Sequence, residues 1–400
     1  MNDLIIIFFT IASILALGFI GDALSRKVMV PSVIMLMILG IVVGPILHVF
    51  QYDLIVEMVS IIAPLTLAFI SLEAGMSMDI RDVLKQSGRV AVISIFGFVF
   101  SMVAVGSLLH FALSIRWAHA FLMASAWSGM NVAIVNAVFS YIKPREETRL
   151  TFTMISLVDD PLVLVSTLTI LDYVLLGSTN FGQILTSISF GVGMSLFLGA
   201  SLGLGWLLVL YSLRKSEYTY TFTLAAFLFV YALSESFGGT GVISVFIFGL
   251  VLANYWIILR RFKSRRSMIE FSQLKENVDR FNKELTFILS SFFFTFIGLI
   301  YVFTDIYVIL LGLACSLLLH LTKYIVTKIG TFRSPMAADL PMIGLIVGQG
   351  ASSASMSMLF LVYGLPNATL LTSLALNMIL FNNITSIVLP FAAAKFTKKI

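Results

Sequence analysis

The chain reads as a succession of long apolar runs, each close to the roughly 20 residues a helix needs to cross a bilayer. Taken at that length there are thirteen spans, near 4–24, 31–50, 54–76, 89–114, 118–140, 147–176, 181–213, 218–236, 239–259, 286–303, 306–331, 338–363 and 366–394. In hydrocarbon the backbone must satisfy its own N–H and C=O groups, so this pattern predicts an all-α polytopic membrane protein. Composition agrees: 59% of the 400 residues are hydrophobic and 11% are charged, against roughly a quarter charged in soluble domains. The first run has no basic stretch before it and no small-residue cleavage site behind it. It reads as a membrane helix, and the mature chain is expected to begin near Met1.

The charges test the count of spans. With the N-terminus outside, each inside loop is basic: Arg26 and Lys27; Arg81, Lys85 and Arg89; Lys143, Arg145 and Arg149; Arg214 and Lys215; the loop from Arg260 to Lys283; Lys328 and Arg333; Lys395, Lys398 and Lys399. Arg116 alone falls outside, and Lys323 lies within a span. The net charge of +5 therefore reflects orientation in a cell membrane, plasma or inner, with the C-terminus cytoplasmic, and not a nucleic-acid partner. Membrane lipids are the expected surroundings. The single cysteine, Cys315, excludes an internal disulfide and a cysteine metal cluster. No cofactor is expected. The basic stretch 260–285 carries Ile269, Phe271, Leu274, Val278 and Phe281 as one apolar helical stripe. It is expected to be a cytoplasmic linker helix along the inner membrane surface, joining two moving halves or merely connecting them.

An internal repeat is visible. PSVIMLMILGIVVGP (31–45) aligns without gaps on TGVISVFIFGLVLAN (240–254), matching Val33 with Val242, Ile34 with Ile243, Ile38 with Ile247, Gly40 with Gly249 and Val42 with Val251. The second span enters from the inside and the ninth from the outside, so the copies are inverted. This divides the chain into a first repeat (4–176), a connecting span (181–213) and an inverted second repeat (218–394). The same correspondence pairs the fifth span, broken by SAWSGMN (125–131), with the twelfth, broken by GQGASSAS (348–355). Paired discontinuous helices point to an ion site near the midplane, whereas small residues alone would serve close packing.

The sixth span carries Asp159 and Asp160 about twelve residues in, roughly 18 Å along the helix. A charge at that depth costs on the order of 3 kcal/mol on insertion scales, so a carboxylate pair there is a functional site by default. Two adjacent carboxylates in low dielectric cannot both ionise cheaply without a proton or a cation. Pro161 cannot donate to the carbonyl of Leu157, which leaves a bare oxygen beside the pair. Leu157 and Ser156, one turn before the aspartates, are the supporting oxygen donors expected there. Lys323 either pairs with one aspartate or snorkels toward the inner interface near Lys328. Glu73, Asp172 and Glu235 lie nearer helix ends, and His110 and His320 are single imidazoles without a metal-ligand partner at useful spacing.

PSVIMLMILGIVVGP, FISLEAGMSMDIR (69–81), the broken fifth span before KPREETR, the VDDP element and the lysine near the end of the eleventh span together resemble the monovalent cation/proton antiporter superfamily. The match is to its thirteen-helix bacterial and archaeal branch, covers nearly the whole chain, and has the paired aspartate as its most specific motif. The resemblance implies exchange of Na+, Li+ or K+ for protons. It implies Asp160 as the ion ligand, a bridge between Asp159 and Lys323, and support from Asn131, Ser128 and Met130 at the fifth-span break. It also implies a homodimer in which a core domain moves against a dimerisation domain. Asn131 stands where several relatives place an acid or a threonine-rich motif, which bears on selectivity. The Asp–Asp pair is similar to electrogenic members. No nucleotide-binding or regulatory domain is expected after Ile400.

Two other transport readings and one enzymatic reading compete. Sodium-coupled symport of a small organic anion would need a roomier cavity with Lys323 as its cationic anchor. A passive channel differs only in flux coupling. An intramembrane aspartyl protease would need its two acids on separate helices, whereas these are neighbours. Antiport, with no enzymatic activity, is the reading the residues favour.

Overall fold

The computed structural model describes residues 2–28, 32–49, 52–81, 87–176, 181–212, 218–259, 265–303 and 305–397. Among them there is no strand, and thirteen helices reach ten residues or more. In chain order the elements are α1 (Asn2–Val28), α2 (Ser32–Ile41), α3 (Tyr52–Met76), α4 (Ser87–Leu113), α5 (Trp117–Trp127), α6 (Val132–Ile142), α7 (Glu146–Leu176) and α8 (Phe181–Ser212). There follow α9 (Thr219–Ser236), α10 (Gly241–Ala253), α11 (Arg265–Leu299), α12 (Ile306–Gly330), α13 (Ala351–Ser357) and α14 (Ala368–Thr397).

Among the described residues, five helices are long and apolar enough to cross a membrane unaided. Three of the thirteen spans are locally interrupted or distorted. The second span ends in a π turn, Val42–Ile46, that contains Pro45. The fifth is divided into α5 and α6, with residues 128–131 outside either helix. The twelfth consists of a short turn at Leu340–Ile343, a non-helical stretch over 346–350, α13, and a last turn at Leu359–Val362. Its break thus precedes the serine-rich ASSAS segment, which is helical, whereas the sequence reading placed the break across 348–355. Gly and Gln at 348–350 interrupt the helix; the serines after them do not.

From Arg265 the basic stretch is helical and continues into the tenth span as a single helix of 35 residues, about 52 Å at 1.5 Å per residue. The basic residues at 82–86, 213–217 and 260–264 lie outside the described residues.

Contacts gather the chain into two compact units that do not follow the repeats. The first comprises 1–64, 86–167 and 288–400, and the second 65–85 and 168–287. Within the first, α4 packs on α5 and α12, α12 packs on α14, α13 lies against α5, and α6 lies against α14. Within the second, α8, α9 and α10 pack on one another. Each unit holds one very close helix crossing built on a pair of glycines. In the first, a Cβ on Gly298 would meet the Met37 carbonyl and come within 2.8 Å of Gly40 Cα. In the second, a Cβ on Gly249 would come within 2.6 Å of the Leu72 carbonyl and 3.3 Å of Gly75 Cα. Gly40 and Gly249 are the glycines matched between the repeats, and their partners stand on the third and tenth spans, which the same correspondence pairs. Large apolar side chains such as Phe19 (75% exposed) and Phe111 (74%) face outward, as a chain solvated by lipid requires.

Candidate functional site

Helix α7 brings Asp159 and Asp160 to the middle of its length and, because consecutive positions are about 100° apart, aims them differently. Asp159 is fully buried. Its Oδ2 accepts from the Lys323 Nζ of α12 at 2.8 Å and from the Met130 backbone N–H, in the fifth-span break, at 3.1 Å. Its Oδ1 is buried with no hydrogen-bond partner in the structure. Lys323 is 3% exposed, so it turns inward to the aspartate and does not snorkel. Such a pair is held by geometry: the attraction offsets the loss of hydration only while both partners are present, and removing one typically costs about 3–5 kcal/mol. Asp160 is half-buried and accepts from the Ser352 hydroxyl of α13 at 2.6 Å. One carboxylate is therefore committed to a lysine, and the other reaches a serine of the second broken span.

The two interrupted spans meet at this level. The Asn131 N–H donates to the Gly348 carbonyl at 2.9 Å. The side-chain nitrogen of Gln349 donates to the Trp127 carbonyl at 2.7 Å and the Gly129 carbonyl at 3.1 Å, occupying acceptors that the end of α5 leaves free. Gly350 lies so close to Asn131 that a Cβ there would collide with the amide. Trp127 donates from its indole nitrogen to Ser357 of α13 at 2.8 Å.

A non-helical backbone at membrane depth needs partners from elsewhere in the protein. For 346–350 these are side chains of α14. Ser386 Oγ accepts from Val347 N–H at 3.1 Å, and Asn382 donates to the Val347 carbonyl at 2.6 Å. Asn383 accepts from Gln349 N–H at 2.6 Å and donates to the Gln349 carbonyl at 3.0 Å. His320 lies behind Ser386, with Nε2 3.3 Å from its hydroxyl and Nδ1 2.8 Å from the Ser316 carbonyl. That carbonyl requires the proton on Nδ1, so Nε2 accepts from the serine.

Of the residues singled out from sequence, the structure brings together Asp159, Asp160, Lys323, Met130 and Asn131. Met130 and Asn131 take part through backbone N–H groups. Ser128 turns its hydroxyl back to the Ala124 carbonyl at 2.6 Å, and Ser156 does likewise to Thr153 at 2.9 Å. Both hydroxyl protons are thus spent on their own helices. Leu157 lies in α7, and its side chain falls outside the described residues. Sequence reasoning missed Asn382, Asn383 and Ser386, and read Gln349 and Ser352 only as part of a helix break. The available signal was the FNNITS cluster (381–386) in an otherwise apolar span. Among the described residues no group of three or more His, Cys, Asp or Glu is placed to hold a metal ion.

Comparison with known proteins identifies the family and the fold. A sequence model of the family described as "Sodium/hydrogen exchanger, transmembrane" matches residues 10–395. The Na+/H+ antiporter 1 of Methanocaldococcus jannaschii is 25% identical over 159 residues, 39% of this chain and 37% of that protein. A low-affinity Na+/H+ antiporter of Synechocystis is 29% identical over 238 residues, 58% of this chain and 44% of that protein. A K+/H+ antiporter of Shewanella is 30% identical over 206 residues, 48% of this chain and 34% of that protein. The chain thus spans less than half the length of these curated relatives. The solved structure of the sodium proton antiporter from Methanocaldococcus jannaschii at pH 8 shares the fold, with a TM-score of 0.80 over 100% of this chain and 99% of that one, at 20% identity. Matched along nearly its whole length, and folded in the same way, this multi-pass membrane protein belongs to the sodium/hydrogen exchanger family.

Proposed function

We propose that the protein is a secondary active antiporter that exchanges Na+, or Li+ or K+, for protons by alternating access, with proton and cation competing for Asp160. The observation that carries this reading is the placement of two adjacent carboxylates where the broken spans cross. Asp159 is held by Lys323 at 2.8 Å, and Asp160, half-buried, accepts from a hydroxyl of the second broken span. A bare carboxylate is too costly to carry past a hydrocarbon barrier, so the transporter changes sides only with a proton or a cation on Asp160. Exchange follows from that rule alone. When a cation recruits Asp159 as well, Lys323 loses its counter-ion and releases its own proton, so that more than one proton moves per ion and transport is electrogenic. The names of the relatives support a monovalent cation and divide between Na+ and K+. We place the protein in the cell membrane as a homodimer, with its N-terminus outside and its C-terminus in the cytoplasm.

The test is proton flux in proteoliposomes under an imposed pH gradient, adding Na+, Li+, K+ and sucrose in turn to wild type and to Asp160→Asn. Collapse of the gradient by a cation in wild type, lost in the variant, is the expected result. Folded wild type in which no cation moves protons would end the antiport reading, and Na+-driven uptake of an organic anion would replace it with symport.

A further inference from the structure

Gln349 sits where the two interrupted spans cross, and the orientation of its side chain is dictated by its neighbours. Three carbonyl oxygens surround Nε2: Trp127 at 2.7 Å, Gly129 at 3.1 Å and Val347 at 3.3 Å. Carbonyls cannot donate, so the amide nitrogen must face them and the amide oxygen must face away. The backbone is equally fixed, since Asn383 holds both the N–H and the carbonyl of Gln349. The residue is fully buried, and its Oε1 has no hydrogen-bond partner in the structure. Neither the amide nor the backbone can turn to find one.

The segments that hold the Gln349 amide also carry groups that contact the carboxylates. Met130, next in sequence to Gly129, donates to Asp159, and Ser352, three residues after Gln349, donates to Asp160. Oδ1 of Asp159 and Oγ of Ser355, on α13, are also buried without a hydrogen-bond partner. A dehydrated alkali cation must recover its lost water ligands from protein oxygens. A neutral oxygen held on a rigid backbone adds such a ligand without altering the charge that a proton must balance.

We propose that Gln349 is a ligand of the transported cation through Oε1, and that it sets which cation the site prefers. The proposal rests on the exchange reading above. Asp160 supplies the charge for which proton and cation compete, and Gln349 supplies a fixed distance that discriminates between ions of different radius. Its amide nitrogen, tied to the end of α5, keeps that distance constant as the two broken spans move together.

The test uses the purified full chain, with wild type, Gln349→Leu and Gln349→Glu compared in two assays. The first is thermal stabilisation by NaCl, LiCl and KCl, with choline chloride holding the ionic strength. The second is cation-dependent proton flux in proteoliposomes. Loss of an oxygen facing a charge changes an equilibrium by about tenfold or more. Gln349→Leu is therefore expected to raise the half-saturating cation concentration by that factor and to change the ratio between Na+ and K+. Gln349→Glu retains an oxygen but replaces the donor to the Trp127 and Gly129 carbonyls with an ionisable group; it is expected to change the ratio between Na+ and K+. A purely structural latch would lower the cation-free melting temperature and the turnover and leave the ratio between ions untouched; that result overturns the proposal. If Gln349→Leu does not fold, an unchanged ratio in Gln349→Glu overturns it. If wild type neither gains stability from any cation nor exchanges protons, the antiport reading falls and this proposal falls with it. Wild type that responds to cations, beside a Gln349→Leu variant with identical half-saturation, refutes the ligand role alone.

Discussion

The pair formed by Asp159 and Lys323 lends itself to a quantitative test because each partner, once alone, is left as a buried charge. In Lys323→Met the buried carboxylate loses its cation at 2.8 Å, and its cheapest remedy is to take a proton. Measured from the ordinary carboxylate value, that costs about 4 kcal/mol at pH 7 and about 1.5 kcal/mol at pH 5. In Asp159→Asn the lysine, 3% exposed, is left as a buried charge without its partner. At pH 7 both single variants should lose the roughly 3–5 kcal/mol typical of breaking a buried ion pair. Lys323→Met should recover stability as pH falls. The double variant, which leaves no charge to neutralise, should lie within about 1–2 kcal/mol of wild type and show no such recovery. Equilibrium unfolding in mixed micelles, followed by tryptophan fluorescence, measures all four proteins between pH 5 and pH 9. Single variants within about 1 kcal/mol of wild type, or a double variant as unstable as the sum of the singles, would refute the argument that the two charges form one buried pair.

Two further outcomes follow from the fold. Asn383→Leu strips partners from both the N–H and the carbonyl of Gln349. At about 1–3 kcal/mol for each buried group left unpaired, it should cost on the order of 2–5 kcal/mol and lower the unfolding midpoint more than Ser128→Ala, whose hydroxyl serves only its own helix. Gly298→Val places branched carbons against Gly40 and the Met37 carbonyl. It should prevent the α2–α11 crossing and reduce the yield of folded protein in detergent, as judged by size-exclusion profile, whereas Gly88→Val, where a Cβ meets nothing within 4 Å, should leave the profile unchanged.

The legible part of the site was its charged part. Asp159, Asp160 and Lys323 stand out because ionisable groups are rare at that depth, and hydrocarbon makes each of them demand an explanation. The neutral part was less legible. Asn382, Asn383 and Ser386 sit in a span whose average apolarity hides them, and their work is to satisfy the backbone of a segment 34 to 39 residues earlier in the chain. Ser128 and Ser156, also singled out in sequence, each donate a hydroxyl proton to a carbonyl of their own segment, as serines in helices often do. Their oxygen lone pairs remain available as acceptors.

By itself the sequence determined the class of solvent, the order and approximate limits of the spans, the presence of both helix interruptions and the carboxylate pair. All of these depend on the transfer of local groups into hydrocarbon, which is a property of a stretch of about 20 residues. Tertiary structure decided which aspartate the lysine takes, that Gln349 bridges the two interruptions, that the linker and tenth span are one helix, and which glycines let helices touch. Those outcomes depend on which groups distant in the chain come within hydrogen-bonding or van der Waals reach. Contact at that range is settled by packing, and the apolar text that codes for packing is nearly the same in every span.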